Sequence, residues 1–551
     1  MSERFYVTTP IYYPSANLTI GNAYTTVIAD SLARWHRMLG EDVLFLTGSD
    51  EHGQKLQQAA EAQGVSPQAY VDYMVNHDIK PLWDRYNVRY DRFIRTTDDF
   101  HQKAVQDIFQ KLYDQGDIYL GKYSGHYCVP CEAYWTDSQL VDGMCPDCGR
   151  PVQEMTEECY FFKLSNYADR LTQYYEDHPD FIQPAARMKE MLNNFIKPGL
   201  EDLALSRTSF SWGIQVPFDP KHVVYVWLDA LTNYITALGY PEETEDFKTY
   251  WPADLHLVGK DIIRFHTIIW PITLMALGLP LPQQVFGHGW LLVDGDKMSK
   301  SKGNVQDPYV LADIFGVDAI RYFLLREIQF GQDGNFSGEA LINRINSDLV
   351  NDLGNLLSRS LAMFEQNFPE GFPEEREAGD FDQDLLDQAQ TSFDQASAYL
   401  HALKISSALN SIWDLIRRAN KYIDETQPWV LAKEEGHKAR LAAVLYHLVD
   451  VLRRLSLMIA PFMPETAEAI DAQLAIARPD RQANSQGLSW AEAGQVGLYP
   501  INHPAARGDA LFPRIKMDET LTRMEKAAKE KQKSRDQQKA EDFAQLAKAG
   551  A

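Results

Sequence analysis

Cysteine is scarce, with five in 551 residues, which excludes a disulfide-stapled secreted scaffold. Positive charge is also in short supply. There are 53 Lys and Arg against 77 Asp and Glu, for a formal net charge of −24. A chain this acidic is no general binder of polyanions, so any nucleic-acid contact must come from a local basic patch. Long apolar runs are missing as well. The stretch Phe265 to Val293 carries no Asp, Glu, Lys or Arg, but Pro271, Pro280, Pro282, Gln283 and Gln284 interrupt it. It reads as a buried helix, a turn and a buried strand rather than a membrane span. The opening MSERFYVTTPIYYP has no basic segment leading into an apolar one, so no secretory signal is expected. The expectation is a cytoplasmic protein without membrane contact. What is present is ordinary globular composition, 45% apolar and 24% charged. The length predicts three to four domains at about 150 residues each.

The pattern along the chain is strand, loop, helix, twice over. Phe5 to Thr9 reads as a buried strand, Pro10 to Asn17 as a loop and Ile20 to Met38 as a helix. Val43 to Thr47 reads as a second strand, followed by the loop Gly48-Ser49-Asp50-Glu51-His52-Gly53. This predicts a parallel α/β sheet of Rossmann type, with ligands at the carboxyl ends of its strands. Residues 121–221 change texture and read as an insertion. The sheet pattern is expected to resume at His222–Asp229 (HVVYVWLD), Leu255–Lys260 and Gln284–Phe286. From Asn343 to Met458 apolar residues recur at three and four, as in Leu349, Leu353, Leu356, Leu357 and Leu361, which predicts a helix bundle. Beyond Pro513 a Lys/Glu/Gln/Ala helix with sparse apolar positions reads as a solvated or docked tail. The division is therefore 1–120 and 222–303 for the sheet domain, 121–221 for the insertion, 304–342 for a connector, 343–515 for the bundle and 516–551 for the tail.

Two motifs carry chemistry. Cys128-x2-Cys131 and Cys145-x2-Cys148 are separated by thirteen residues. Paired x2 spacing turns both thiolates of a knuckle to one centre, and four thiolates suit tetrahedral Zn²⁺. With all four positions filled by protein the metal would be structural. Cys159 stands apart and reads as a buried apolar residue. The second motif, Lys297-Met298-Ser299-Lys300-Ser301-Lys302-Gly303, is a basic loop able to close on a polyphosphate. By charge alone it would pass for a solvated turn.

Its letters resemble the KMSKS loop of class I aminoacyl-tRNA synthetases. The partner motif of that family, His-Ile-Gly-His, is matched at Thr19-Ile20-Gly21-Asn22, with Thr19 and Asn22 at the two histidine places. A helix start there offers free N–H groups and a positive dipole end to phosphate, and Gly21 permits close approach of a nucleotide. The segments TTPIYYP, LTGSDEHGQK, NNFIKPGLEDLALSR, HVVYVWLDALTNYITALGY, HLVGKDIIRFHTIIWP, FGHGWLL and KYIDETQPWVLAK resemble bacterial methionyl-tRNA synthetases, over residues 4 to about 515. The resemblance implies a site, residue by residue. Ile11, Tyr13, Trp227, Ala230, Leu231, Tyr234, Ile262 and His266 match the methionine pocket, and Asp50 matches the carboxylate that holds the substrate ammonium. Gly21, Gly259, Asp261, Gly289 and Lys300 match the ATP contacts, and Thr19, Asn22, Lys297 and Lys300 the catalytic groups. Asn355, Arg359 and Trp429 match the anticodon readers, with Arg417, Arg418 and Lys421 as a basic patch nearby. Each aromatic or histidine taken alone would read as ordinary core; the case is their joint match.

The implied activity is adenylation of methionine by ATP, with Mg²⁺ on the phosphates, followed by transfer to methionine tRNA. The appended dimerisation domain of some family members has no counterpart in this sequence, which makes a monomer the expectation. Two other readings stay open. One is a class I synthetase for another small amino acid. The other is a synthetase-like tRNA-binding protein without catalysis, suggested by Thr19 and Asn22.

Overall fold

The computed structural model describes residues 3–131, 133–135, 137–293, 295–297, 306–479 and 485–550. Its first half is built on β1 (Arg4–Tyr12), α1 (Ile20–Met38), β2 (Asp42–Ser49), β3 (Arg92–Arg95) and α2 (Asp99–Asp114). Then come β4 (Ile118–Cys128), β5 (Gln153–Phe162), β6 (Ile182–Gln183), α3 (Val226–Thr236), β7 (Leu255–Gly259) and β8 (Gln284–His288). Six strands form one parallel sheet in the order β3-β2-β1-β7-β8-β6. Val7 lies between Phe45 on one side and Leu255 on the other. Phe5 to Thr9 are buried throughout, because helices cover both faces of a parallel sheet.

Two details depart from the sequence reading. HVVYVWLD is not a strand of this sheet. Asp219–Val224 belongs to a separate antiparallel sheet, and Val226 already opens α3. The apolar residues after Val224 recur at helical spacing, and packing of α3 against α2 decides for the helix. Conversely, β6 lies within 121–221 yet pairs with Val285 and Phe286 at the edge of the main sheet. The rest of that insertion centres on the antiparallel pair β4–β5, which carries the cysteine knuckle at its end.

The second half is helical: α4 (Pro308–Phe315), α5 (Asn355–Asn367), α6 (Asp382–His401), α7 (Ile405–Thr426), α8 (Lys438–Ile459) and the tail α9 (Met517–Gly550). The helix Val317–Glu327 in the connector packs on both α1 and α7. Its Arg321 is fully buried and joins the halves. The guanidinium donates to Asp30 Oδ2 of α1 at 2.7 Å and to the carbonyls of Phe462, Pro461 and Tyr86 at 2.8, 3.1 and 3.1 Å. The tail is docked. Phe543 is 1% exposed among Leu56, Ala60, Tyr70, Val71 and Met74, and Arg535 pairs with Asp307, the N-cap of α4, at 2.7 Å. No helix among the described residues is long and apolar enough to cross a membrane.

Candidate active site

The carboxyl ends of the central strands open into a cavity of about 570 Å³, where a parallel sheet leaves its crevice. Ile11 and Tyr13 line it from the end of β1, Thr19, Gly21 and Asn22 from the start of α1, and Asp50 from the loop after β2. Facing them are Trp227 of α3, Gly259 at the end of β7 with Asp261 and Ile262 after it, and Gly289 after β8. Residues up to 281 positions apart in sequence, Pro10 and Leu291, thus share one space. Ala230, Leu231, Tyr234 and His266 stand behind this wall, each buried. The Tyr234 hydroxyl donates to His266 Nε2 at 2.8 Å, and His266 Nδ1 donates to the Ile262 carbonyl at 3.0 Å. Burial lowers the His266 pKa to about 4, so the imidazole stays neutral at pH 7.

The two residues at the histidine places of the signature hold each other. Asn22 Oδ1 accepts the Thr19 backbone N–H at 2.9 Å and the Thr19 hydroxyl at 3.1 Å. With its oxygen engaged, Asn22 has its amide N–H groups to offer a ligand. The first turn of α1 also carries the dipole's positive end. Behind it the Thr25 hydroxyl donates to His288 Nε2 at 2.7 Å, and His288 Nδ1 donates to the Gly289 carbonyl at 2.8 Å.

Glycine is required at Gly289, where a Cβ would lie 2.2 Å from the Gln332 backbone; on Gly259 a Cβ would lie 2.5 Å from the Asp261 side-chain Oδ1, which would have to move. Trp290 continues that wall, with Lys260 Nζ 4.0 Å from its ring centroid and held by Asp333 at 2.7 Å. The sequence expectation includes neither Trp290, His288 nor Phe265. Phe265 stacks on Trp227 at 3.7 Å with the rings 6° from parallel. Its neighbour Arg264 lies over Trp135 at 4.5 Å and reaches Asp147 at 4.0 Å.

That contact brings the cysteine knuckle to the cavity, where Pro130, Cys131, Asp147 and Cys148 form part of the lining. Only the tertiary fold makes it a wall of the site. The four Sγ atoms of Cys128, Cys131, Cys145 and Cys148 lie within 4.8 Å of one another. Cys128 Sγ to Cys148 Sγ is 3.6 Å, and Cys145 Sγ to Cys131 Sγ is 4.0 Å. Tetrahedral thiolates about 2.3 Å from a zinc ion stand about 3.8 Å apart. The set therefore fits a metal ion. A hydrogen bond from Cys131 pulls the Cys128 thiol down to about 5, while burial pushes Cys145 up to about 11.

Lys297 contributes backbone to a short strand paired with Leu292. Its side chain, and Lys300 entirely, lie outside the described residues. In the bundle, Asn355 and Arg359 occupy successive turns of α5 on an exposed face, and Arg359 lies 5.8 Å from the ring of Trp429, itself 44% exposed. The basic patch expected there is a correction. Arg417 pairs with Asp414, Arg418 with Asp384 and Glu425, and Lys421 with Glu425, at 2.6 to 3.2 Å. Neighbouring carboxylates neutralise all three cations.

Residues 5–159 and 149–361 match the family described as tRNA synthetases class I (M), and residues 372–529 match the anticodon binding domain of methionyl tRNA ligase. The chain is 57% identical to the methionine–tRNA ligase of Caldanaerobacter subterraneus subsp. tengcongensis, covering 99% of this chain and 85% of that protein. It is 58% identical to the methionine–tRNA ligase of Clostridium perfringens, covering 95% of this chain and 79% of that protein. Among solved structures it is similar to Mycobacterium tuberculosis methionyl-tRNA synthetase in complex with methionyl-adenylate. The TM-score is 0.86 and the identity 44%, over 93% of this chain and all of that one. With the sheet domain and the bundle each matched, the chain belongs to the methionine branch, (M), of the class I tRNA synthetases.

Proposed function

We propose that this chain is a methionine–tRNA ligase. It joins methionine to ATP as methionyl adenylate, releasing pyrophosphate, and then transfers the methionyl group to the 3′ end of methionine tRNA. The observation that carries this reading is the single cavity lined by the α1 start, Asp50, Trp227, Gly259 and Gly289. It offers an anion site, a carboxylate and an aromatic wall to one small ligand.

Asp50 binds the substrate ammonium. Trp227, Tyr13 and Ile262, backed by Ala230, Leu231, Tyr234 and His266, receive the thioether, which aromatic edges contact favourably. Leucine, the near-isostere, lacks that sulfur contact and has a different shape. ATP lies between Gly21 at the α1 start and the wall of Gly259, Asp261 and Gly289. The methionine carboxylate attacks the α-phosphorus in line. Being anionic already, it needs no protein base, so catalysis is positioning and charge stabilisation. Thr19, Asn22 and the α1 dipole serve the α-phosphate side, and Lys297 and Lys300 serve the departing pyrophosphate. Mg²⁺ accompanies the phosphates and supplies further charge neutralisation when bound. The terminal ribose hydroxyl of tRNA then takes the methionyl group from the mixed anhydride.

Cys128, Cys131, Cys145 and Cys148 hold zinc, which braces the cavity wall and takes no part in the chemistry. Residues 304–342 connect the catalytic domain to an anticodon bundle of residues 343–515. There Asn355 and Arg359 meet base edges and Trp429 stacks on an unpaired base.

The test is methionine-dependent ATP–pyrophosphate exchange, with leucine and cysteine as controls. Exchange with methionine alone is expected, and exchange with no amino acid overturns the reading. Lys300→Ala is expected to slow exchange by about two to three orders of magnitude; unchanged exchange would remove that loop from the mechanism.

A further inference from the structure

We propose that the buried carboxylate of Asp229 is a positioning group for methionine, acting through the loop that carries Asp50. The proposal rests on the reading that Asp50 holds the substrate ammonium.

Asp229 is 1% exposed and sits on α3, on the face turned away from Trp227, Ala230 and Tyr234. Its Oδ2 lies 2.7 Å from His52 Nδ1, and its Oδ1 lies 2.8 Å from His101 Nε2. His101 Nδ1 is in turn 2.7 Å from the Thr236 hydroxyl, two turns along α3. His52 and His101 are buried as well, at 4% and 0% exposure. One carboxylate thus ties together three elements distant in sequence: the loop after β2, α2 and α3.

A carboxylate only accepts, so both imidazoles donate to it, His52 from Nδ1 and His101 from Nε2. His101 Nδ1 and the Thr236 hydroxyl share the next bond, and that hydroxyl also lies 3.4 Å from the Asn233 carbonyl. Both carboxylate oxygens are thus engaged, as a buried charge requires.

The geometry explains what the tether does. Asp50 and His52 are two residues apart. The Asp50 backbone is anchored on the Tyr12 carbonyl at 3.0 Å. Glu51 between them is held on the far side by Arg95, at 2.7 and 2.8 Å. The bond from His52 to Asp229 links this loop to α3, the helix that carries Trp227. It sets the separation of Asp50 from the Trp227 wall. The two ends of methionine, ammonium and thioether, must bridge that separation at once. An error of about 1 Å there is expensive in an oriented site.

The experiment uses the full-length protein and two probes, methionine and 4-methylthiobutanoate, which keeps the thioether and carboxylate but lacks the ammonium. Asp229→Asn is isosteric, but its single carbonyl oxygen satisfies only one imidazole. Methionine binding, read by calorimetry or by tryptophan fluorescence, is expected to weaken about tenfold or more. Binding of 4-methylthiobutanoate is expected to change less than about twofold. In the Asp50→Asn background, adding Asp229→Asn should weaken methionine little further, because both act on one interaction. His52→Asn, whose amide can donate near the Nδ1 position, should retain methionine affinity, and His52→Leu should lose it. These two variants test the tether even if Asp229→Asn fails to fold. Equal weakening of both probes would make Asp229 a general structural residue and overturn the proposal, as would no change in either. Asp50 itself is tested separately. If the wild-type protein binds methionine no more tightly than 4-methylthiobutanoate, the ammonium role of Asp50 fails and this proposal fails with it.

Discussion

At the scale of single residues, burial decides chemistry more than identity does. His266 is an imidazole held neutral by burial, which outweighs its hydrogen bond to the Ile262 carbonyl. Asp318, in the connector, shows the converse. Burial raises its carboxyl to about 6, although it accepts the Thr466 backbone N–H at 2.6 Å and the Thr466 hydroxyl at 2.8 Å. An unfolded aspartate titrates near pH 4. Between about pH 4 and 6 the folded state therefore holds more of the proton, and stability falls as pH rises through that window. Above it the charged, buried carboxylate is a standing cost. Asp318→Asn keeps one carbonyl oxygen for both Thr466 donors and removes the charge. It is expected to be more stable than the wild-type protein at pH 8, by about 1–2 kcal/mol, with the advantage vanishing near pH 4. Thermal unfolding at the two pH values checks this; an advantage that grows on acidification would contradict it.

At the scale of elements, the tail helix α9 shows how little apolar surface can dock a polar segment. Its residues are mostly charged or amide-bearing and its burial is thin. Its first half is anchored by Met524, 9% exposed in the main core, and its second by Phe543, stacked at 5.3 Å on Tyr70 and tilted at 4.6 Å on Tyr73, with Asp542 accepting the Tyr73 hydroxyl at 2.8 Å. Arg535 adds an ion pair to Asp307 and lies over Tyr309 at 4.2 Å. Removing a buried phenyl ring costs about 3–5 kcal/mol, more than exposed ion pairs return. Phe543→Ala is therefore expected to release the C-terminal part of the helix while the core stays folded. Hydrogen exchange over residues 536–550 should rise sharply, with protection of α1 and α8 unchanged.

At the scale of the whole molecule, the sheet domain and the bundle meet through a buried charge. Arg321 and Arg34 share the Asp30 carboxylate, all three with fully buried side chains. Burial alone would raise the Asp30 pKa, but the two guanidiniums hold it below the usual carboxylate range. Arg321 also donates to carbonyls beside the bundle, so the same side chain fixes the orientation of the two halves. Arg321→Met fills similar volume but breaks these bonds. A loss of about 3–5 kcal/mol is expected. Methionine–ATP exchange, confined to one half, should survive at low temperature, whereas tRNA charging, which needs both halves in register, should fall steeply. Equal loss of both activities would count against this division of labour.

The sequence by itself determined the features that are local in the chain. Ile20 to Met38 reads as a helix because its spacing and its position after a loop allow nothing else, and α1 has those bounds. The Cys128–Cys148 knuckle is legible because x2 spacing is a steric requirement of the ligand set. The cavity residues were legible only through the family resemblance, which matched them jointly; the fold places them at the ends of strands and at the starts of α1 and α3. Tertiary structure alone decided what depends on partners far along the chain. His52 and Asp229 are 177 positions apart and His101 and Asp229 are 128, so no periodicity could pair them. Of the carboxylates that neutralise the expected basic patch, only Asp384, paired with Arg418, is far along the chain; Asp414 and Glu425 lie three and four residues from Arg417 and Lys421, where helical spacing already made them legible. HVVYVWLD is a short continuous apolar run, which strand and buried helix share, and packing against α2 turns its second half into α3. The knuckle's place as a wall of the active cavity, and the docking of α9 on Phe543, follow the same rule. Local propensity fixes an element, but which of its faces meets which other is settled by burial of surfaces the sequence cannot bring together on paper.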